Sequence, residues 1–305
     1  ALERVMGGGP LSLVLGGLGV LLLFRMVRRL RPGARVRDSV VVITGASSGL
    51  GRGQRSPHLG GPVCGFILDD VTSPQTHPPS TVTFDLSEAG AVERAAEEIL
   101  RLHGNVDVLI NNAGISYRGN ILETDLSVQR AVMDTNYFGP VALTQGPLNP
   151  LLPSMVRRRS GHVVVISSIQ GRIAIPHRSA YAASKHATQA YFDCLRAEVE
   201  RYGLEVSVVS PGYIRTNLSR NTPPPLALVL DRTTAMGRDP ADVARAVLEA
   251  VRRRSKDVLL AGLLATVALY LRTLCPALFF KVMAMRARKE QRPEAAGGDF
   301  LKLGL

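Results

Sequence analysis

The sequence predicts an α/β fold with a doubly wound parallel sheet, and three observations support this prediction. Short β-branched runs alternate with helical stretches from Ser39 onward, which is typical of a sheet with helices on both faces. The first of these runs ends in a glycine turn, "TGASSGLG". The chain has 305 residues, which is enough to bury a full-sized core in one large domain.

The elements follow in a regular order. Each predicted strand is a continuous apolar run or an alternating one, and each predicted helix repeats its apolar residues with helical spacing. Glycines end two of the helices, and an Asp-Pro pair begins a third. The predicted strands are "SVVVITG", "STVTFDL", "VDVLINNAG", "GHVVVISSIQG" and "LEVSVVSPG"; the predicted helices are "EAGAVERAAEEILRLHG", which ends at Gly104, "SAYAASKHATQAYFDCLRAEVERYG", which ends at Gly203, and the segment that begins at Asp239 and Pro240.

Residues 1–38 predict a membrane anchor and a basic juxtamembrane linker. Met6 to Phe24 is a run of 19 residues without a charge, close to the ~20 that cross a bilayer. Six arginines follow between positions 25 and 37, and this order favours an uncleaved anchor over a signal peptide or a disordered tail. The arginines also favour a cytosolic position for the rest of the chain.

The charge of the chain points to an anionic partner. The net charge is +12, which favours either nucleic acid or an anionic membrane surface. Trp is absent and aromatic residues make up only 5% of the chain, so no basic stripe carries the stacking residues of a nucleic-acid site. We therefore expect a membrane and no nucleic acid. Cys64, Cys194 and Cys275 have no metal or disulfide spacing, so we expect no metal.

A second apolar stretch, Val258 to Leu271, is 14 residues long and too short to span a bilayer comfortably. Two interpretations remain open. It begins a hydrophobic C-terminal cap that lies on the membrane with a basic tail, or it is an ordinary core helix. The predicted domains are thus residues 1–38, a catalytic domain over 39–256 and a cap with its tail over 257–305.

One lysine, Lys185, indicates which residues would carry out acid–base catalysis. Lys185 is the only lysine before position 256, and it follows Tyr181 by four residues, which places both on one face of a helix. We expect the ammonium to lower the pKa of the phenol, which would make Tyr181 a general acid and base. Ser168 ends the strand "HVVVISS", and open α/β sheets bind ligands at the carboxyl ends of their strands.

These residues together resemble the short-chain dehydrogenase/reductase family, which has a Rossmann-like fold. The resemblance covers roughly residues 39–251 and rests on motifs in the family's order: Thr44-Gly45-x-x-x-Gly49-x-Gly51, Asn111-Asn112-Ala113-Gly114, Asn136, Ser168, Tyr181-x-x-x-Lys185, and Pro211-Gly212 followed by Thr216. The combination is highly specific, whereas the glycine loop alone would be weak.

The resemblance implies a role for each of these positions. It implies catalysis by Ser168, Tyr181, Lys185 and Asn136, with Ser168 also contacting the substrate and Asn136 holding a water in the proton relay. It implies a nicotinamide dinucleotide, NADP rather than NAD, although NAD is not excluded. The residues that it implies for cofactor binding are Gly45, Ser48, Gly49, Leu50, Gly51, Asp85, Asn112, Tyr181, Lys185 and Thr216.

The stretches "NNAGISYRG" and "NYFGPVALT" resemble a membrane-anchored subgroup of that family. A membrane anchor and an apolar lid both favour a lipid-like ketone or secondary alcohol as substrate, such as an acyl- or alkyl-dihydroxyacetone phosphate, a steroid or a retinoid. The resemblance implies the endoplasmic reticulum membrane, with the peroxisomal membrane as the alternative, and a homodimer through the helix of Tyr181 and Lys185. Residues 217–234, rich in proline and leucine, are the expected substrate lid.

Two segments depart from the family. Only 33 residues separate Gly51 from Asp85, which is short for a helix, a strand and another helix. One interpretation makes "PVCGFIL" the second strand, with Asp69 or Asp70 at its tip on the adenosine ribose; the other is an altered segment that leaves the adenosine side poorly built. Pro147 and Pro150 fall inside an expected helix, where proline costs about 3 kcal/mol.

The sequence therefore predicts a membrane-anchored NAD(P)-dependent oxidoreductase. The alternative is a catalytically impaired pseudoenzyme or scaffold that lacks a complete adenosine site. Residues 52–84 distinguish the two, because the enzyme requires that this segment build a helix and a strand beside Ser39–Thr44.

Overall fold

The structure is a computed structural model that describes residues 39–46, 50, 65–68, 80–145, 151–216, 218 and 237–290. All of these belong to one compact unit, Val36–Leu305. Seven strands form a single sheet in the order β3-β2-β1-β4-β5-β6-β7. The strands are β1 Val41–Thr44, β2 Gly65–Leu68, β3 Ser80–Val82, β4 Val108–Asn111, β5 His162–Ile166, β6 Glu205–Pro211 and β7 Asp257–Leu260.

Five of these strands form the parallel part of the sheet. β1 pairs with β4, β4 with β5, β5 with β6 and β6 with β7, all in parallel. Strands β1, β4 and β5 are buried along their whole length. Such continuous apolar runs are expected where both faces of a sheet are covered, and two large apolar clusters do cover them. The predicted Rossmann-like sheet is confirmed in this part.

Eight α-helices are described in the ranges given above. They are α1 Ala89–His103, α2 Leu126–Met133, α3 Gly139–Gln145, α4 Leu151–Arg158, α5 Ser179–Val199, α6 Pro240–Arg252, α7 Leu263–Leu274 and α8 Pro276–Glu290. A π-helical segment, Asp134–Phe138, joins α2 to α3. Two 3₁₀ turns, Ile169–Gly171 and Glu200–Tyr202, follow β5 and α5.

The predicted helix ends are confirmed where they are described. Gly104 caps α1 with a φ of 72°, and Gly203 ends the turn after α5 with a φ of 77°; both values suit glycine. Asp239 caps α6, since its side chain accepts a hydrogen bond from Ala241 N, and Pro240 is the first helical residue.

Strand β2 runs in the direction opposite to the prediction. It does lie beside β1, but the pair is antiparallel, with Thr44 opposite Gly65 and Val41 opposite Leu68. β3 pairs antiparallel with β2 and so runs parallel to β1 again. The sheet is therefore not parallel throughout.

The adenosine role predicted for Asp69 or Asp70 stays a prediction, because both residues lie outside the described ranges. The last described residue before them, Leu68, is paired with Val41 at the amino end of β1. The glycine turn follows Thr44 at the opposite, carboxyl end, four residues or about 13 Å away.

Two described helices, α3 and α4, lie on either side of the predicted proline-containing segment. Helix α3 ends at Gln145, and α4 begins at Leu151. Pro147 and Pro150 lie outside the described residues, so the expectation that they interrupt a helix stays a prediction.

The predicted boundary between catalytic domain and cap is also wrong. Asp257–Leu260 forms β7, the last strand of the sheet, paired with β6. The second apolar stretch is therefore divided between a sheet strand and helix α7, so the catalytic fold extends at least to Leu260. Within the described ranges, no helix combines the length and the apolar character that a bilayer span requires. The predicted anchor in residues 1–38 lies outside those ranges.

Candidate active site

The turns after β1 and β4 are held together by hydrogen bonds. Thr44 ends β1, and its hydroxyl oxygen accepts hydrogen bonds from the backbone N–H groups of Asn112 and Ala113, both at 3.0 Å. The amide of Asn112 donates back to the carbonyl oxygen of Thr44 at 2.9 Å. Asn112 thus fixes the two turns at the carboxyl edge of the sheet, where ligands of such sheets bind.

Gly45 and Gly114 allow close packing at this edge. Gly45 has a φ of +65°, and a Cβ there would lie 2.8 Å from the Ala113 Cα. A Cβ on Gly114 would lie 2.9 Å from Asn136 Oδ1 and 3.6 Å from Lys185 Nζ. A side chain at Gly45 would collide with the turn after β4, and one at Gly114 would collide with Asn136. Glycine is therefore required at both positions, at the edge where a dinucleotide would approach the backbone.

The other predicted cofactor residues have different positions. Leu50 is buried in the core, so only its backbone is available to a ligand. Asp85 follows β3 on the same edge as Gly45; its carboxylate is exposed and accepts hydrogen bonds from Ser87 N and Oγ at 2.8 and 2.7 Å. Thr216 follows β6 and donates its N–H to Ile214 O at 2.9 Å. Ser48, Gly49 and Gly51 lie outside the described residues.

Ser168 and Tyr181 lie together at the carboxyl end of β5. The Ser168 hydroxyl caps the short turn Ile169–Gly171 by accepting from Gln170 N at 3.1 Å. It also lies beside the phenol of Tyr181, near enough to lower the pKa of that phenol. Both side chains are buried, with 6% of each exposed. The predicted meeting of these two hydroxyls is present in the structure.

Lys185 lies one turn after Tyr181 on α5. Its ammonium is buried, donates to Ile166 O at 2.9 Å, and lies 5.9 Å from the centre of the Tyr181 ring. Burial lowers the pKa of Lys185 to about 8, because the charged form loses its hydration. The group remains mostly protonated at neutral pH.

The prediction that Lys185 lowers the pKa of Tyr181 is wrong for this structure. Burial is the largest effect and raises the pKa of the phenol, and the neighbouring Tyr213 raises it slightly. The neighbouring Ser168 hydroxyl and the charge of Arg178 act in the opposite direction. Lys185 gives no such lowering, because with a pKa of about 8 it loses its charge before the phenol ionises.

Asn136 is buried inside the π-helical segment and makes four hydrogen bonds. Its amide donates to Ile115 O at 2.8 Å and to Ser184 Oγ at 3.0 Å, and its Oδ1 accepts from Ile115 N at 2.8 Å. Its backbone carbonyl accepts from Thr188 Oγ1 at 2.9 Å. π-helical turns are frequent at functional sites. Here the segment connects α5 to the loop after β4.

Three residues of this site were not predicted from the sequence. Arg178 is buried, with 7% exposed, at the N-cap of α5. Its guanidinium donates to Ser116 Oγ at 3.3 Å and lies 5.8 Å from the centre of the Tyr213 ring. The phenol oxygen of Tyr213 is buried and has no hydrogen-bond partner within the described residues. The sequence spacing could have indicated Arg178, because it precedes Tyr181 by three residues and so lies on the same face of the helix.

The donor set and the glycines fit a nicotinamide dinucleotide at one end of the site. Gly45 and Gly114 have no side chains at this edge, and Lys185, Asn112 and Thr216 lie on the same edge of the sheet as Tyr181. Of the residues predicted beside the adenosine, Asn112 follows β4 and Asp85 follows β3 on this edge.

The fold and this site define a class of protein. The model of the family "short chain dehydrogenase" matches residues 72–226. The chain belongs to the short-chain dehydrogenase family, and it is a NAD(P)-dependent dehydrogenase/reductase by that membership.

Several relatives are similar over nearly the whole chain. The chain is 55% identical to "Dehydrogenase/reductase SDR family member 7B" of Danio rerio, covering 96% of this chain and 100% of that protein. It is 55% identical to the Bos taurus protein of the same name, covering 92% and 91%. It is 42% identical to "Dehydrogenase/reductase SDR family protein 7-like" of Anopheles gambiae, covering 92% of each.

Two solved structures share the fold. A short chain dehydrogenase from Burkholderia cenocepacia, in complex with NADP, has 25% identity and a TM-score of 0.61. A short-chain dehydrogenase from Streptomyces avermitilis has 27% identity and a TM-score of 0.61. Each match covers 82% of this chain and 98% of the other chain.

Proposed function

We propose that the chain is a membrane-anchored, NADP-dependent oxidoreductase that interconverts a ketone and a secondary alcohol on a lipid-like substrate. The observation that carries this proposal is the pair of neighbouring buried hydroxyls of Ser168 and Tyr181 at the carboxyl edge of the sheet, with Lys185 one turn away. Two hydroxyls directed at one point are suited to a carbonyl or alcohol oxygen.

Each catalytic candidate acts on that oxygen or supports the group that does. In the reductive direction Tyr181 donates its phenolic proton to the carbonyl oxygen, and in the oxidative direction it accepts the alcohol proton. Ser168 donates a hydrogen bond to the same oxygen and so orients it. Asn136 keeps the π-helical segment against α5 and would hold a water of the proton relay. Lys185 would hold the nicotinamide ribose, and the bound dinucleotide supplies the hydride.

The remaining binding residues would divide the dinucleotide between them. Gly45 would admit the pyrophosphate, Asn112 and Asp85 would lie beside the adenosine, and Thr216 would contact the carboxamide. NADP is favoured over NAD by the resemblance to the membrane-anchored subgroup and by the structurally similar Burkholderia cenocepacia protein, which was solved with NADP.

A lipid-like substrate is supported by two features of the sequence. The uncharged run from Met6 to Phe24 would anchor the chain in the endoplasmic reticulum membrane, with the peroxisomal membrane as the alternative. The leucines of residues 217–234 would make the lid apolar. Substrates that partition into lipid are thus favoured, and acyl- or alkyl-dihydroxyacetone phosphates, steroid ketones and retinoids are the classes to compare.

The catalytic assignment is tested by Tyr181→Phe in the full chain, solubilised in detergent. We expect turnover to fall about 10²- to 10⁴-fold, the usual contribution of a general acid and base, with nearly unchanged NADPH affinity. Tyr191→Phe is the matched control, because Tyr191 is on the same helix and its hydroxyl contacts Gln145 instead. Substantial turnover in Tyr181→Phe would contradict the mechanism.

The reversed strand β2 favours a second candidate, a family member that no longer binds dinucleotide. Titration of the full chain with NADPH and NADH, followed by nicotinamide fluorescence, separates the two. Micromolar binding supports the oxidoreductase. The nucleotide that binds with the higher affinity is then its cofactor. A folded protein that binds neither supports the impaired pseudoenzyme or scaffold.

A further inference from the structure

The last two described helices expose an unusual amount of apolar surface. Thirteen large apolar side chains are exposed within the described residues, and eight of them lie in the 28 residues of α7 and α8 with their junction. Single exposed apolar residues are ordinary, but a contiguous group indicates a binding surface. The eight are Leu263, Leu264, Val267, Tyr270, Leu274, Leu278, Phe280 and Met285.

Their spacing places most of them on one face of each helix. In α7 the exposed residues Leu263, Val267, Tyr270 and Leu274 are four, three and four positions apart, which is the repeat of a single helical stripe. In α8, Leu278 and Met285 are seven positions apart and share a face with Lys281 and Arg288. The outward face of α7 therefore carries an apolar stripe, and the outward face of α8 combines apolar with basic residues.

The inner faces of these helices are attached beside the catalytic residues. Ala268 of α7 and Phe279 and Met283 of α8 are buried in one apolar cluster with Ile169 and Ile173. Ile169 directly follows Ser168 in the chain. The helix pair is thus fixed to the segment that carries Ser168, and its exposed stripe is held in a defined place on the molecule.

The charge of the pair identifies what would cover the stripe. Residues 263–290 contain five basic residues and one acidic residue, Glu290. A second copy of this surface would bring two sets of like charges together. An anionic bilayer instead accepts the apolar side chains between its headgroups and attracts the basic ones.

We propose that the outer faces of α7 and α8, the C-terminal cap surface, lie in the headgroup layer of an anionic bilayer, in addition to any anchoring by the N-terminal run. The docking itself does not depend on the proposed reaction. Its consequence for substrate supply does rest on that function, because the lipid surface would then adjoin the segment that carries Ser168.

The test uses a natural cysteine as the probe position. Cys275 is exposed between α7 and α8, and Cys194 is exposed on α5. The full chain with Cys64→Ser and Cys194→Ser carries an environment-sensitive fluorophore on Cys275. The matched control carries the fluorophore on Cys194, with Cys64→Ser and Cys275→Ser. Both proteins are reconstituted into phosphatidylcholine vesicles with and without phosphatidylserine, which contain lipids bearing a nitroxide quencher below the headgroup.

We expect strong quenching and a blue shift at Cys275, greater with phosphatidylserine, and little change at Cys194. This contrast separates docking of the cap surface from tethering by the N-terminal run, which would leave both probes in water. Removing the charges of Lys281 and Arg288 with glutamine should weaken docking by roughly fivefold for each residue, because a basic residue at such a surface contributes about that much.

Three results would overturn the proposal. The first is an unquenched Cys275 probe in protein that remains on the vesicles. The second is a blue shift without vesicles that depends on protein concentration, which would assign the surface to a second copy. The third is unchanged quenching in Lys281→Gln with Arg288→Gln. Circular dichroism and nucleotide titration of the same proteins establish that they are folded, so failure of docking is distinguishable from failure of the proposed reaction.

Discussion

Arg178, and not Lys185, is the positively charged residue that lowers the pKa of the Tyr181 phenol. A buried guanidinium at the start of α5 lowers the pKa of the phenol against the effect of burial, while Lys185 is directed elsewhere. The positive charge that favours the phenolate therefore comes from a residue that precedes Tyr181 by three positions. In oxidation the phenolate is the form that accepts the alcohol proton, so Arg178 affects the pH at which the enzyme oxidises.

We expect Arg178→Leu to move the alkaline part of the oxidation pH profile to higher pH. The sign follows because loss of a nearby positive charge disfavours the phenolate and raises the pKa of Tyr181 further. Arg178→Lys should recover part of the shift, since it retains a charge. Arg201→Leu, on the surface against Tyr202, is the control. A profile of kcat against pH that is the same in all four proteins would show that Arg178 has only a structural role.

Gly114 tests how tightly the catalytic side chains are packed. In Gly114→Ala the new Cβ would lie 2.9 Å from Asn136 Oδ1 and displace the hydrogen bond from Ile115. We expect turnover to fall about 10-fold, the equivalent of one hydrogen bond. Gly90→Ala is the matched control, because its Cβ would meet only Arg94 Nη1 at 3.5 Å and should slightly stabilise helix α1. Full turnover in Gly114→Ala would mean that Asn136 can move freely.

Among the elements, β5 contains a buried titratable group away from the active site. His162 is its first residue, and its Nε2 is 2.7 Å from Ser207 Oγ on β6. Burial, with a smaller effect of Arg254, lowers the pKa of His162 to about 4. Because the unfolded pKa is near 6.5, the unfolded chain takes up the proton first as the pH falls.

The stability that depends on neutral His162 is thus complete above pH 6.5 and is lost as the pH falls from 6.5 to about 4. The loss amounts to about 3 kcal/mol. In His162→Gln we expect a smaller decrease in the free energy of unfolding over this range. Urea unfolding of both proteins at a series of pH values measures it. If the free energy of unfolding decreased equally with falling pH in both proteins, the His162 imidazole would not be excluded from water.

The elements also show which parts of the fold and site could be predicted. The spacing of Ser168, Tyr181 and Lys185 determined the site, because strand ends and helical faces follow from local periodicity. The direction of β2 did not follow, since a four-residue apolar run pairs equally well in either direction. Arg178, Ser116 and Tyr213 meet only through the tertiary fold. The pKa of Tyr181 was predicted in the wrong direction because its burial cannot be determined from spacing.

On the scale of the whole molecule, the order of strands fixes which residues can reach the dinucleotide. We expect Asp69→Asn and Asp70→Asn to leave the ratio of NADPH to NADH affinity unchanged, because both follow the end of β2 that is paired with Val41. Fluorescence titration with each nucleotide measures this ratio. A tenfold change in either variant would place an acidic residue on the ribose and contradict the antiparallel pairing.

The antiparallel pairing of β1 and β2 also affects the order in which the sheet can assemble. Partners in this ladder are only 21 to 27 positions apart in the chain, whereas partners in the β1–β4 ladder are 67 apart. Closing the shorter loop costs about 1 kcal/mol less in chain entropy. Local pairings generally form faster than distant ones. The edge of the sheet that departs from the family would then be the first to form, and the rest of the sheet would be added to it.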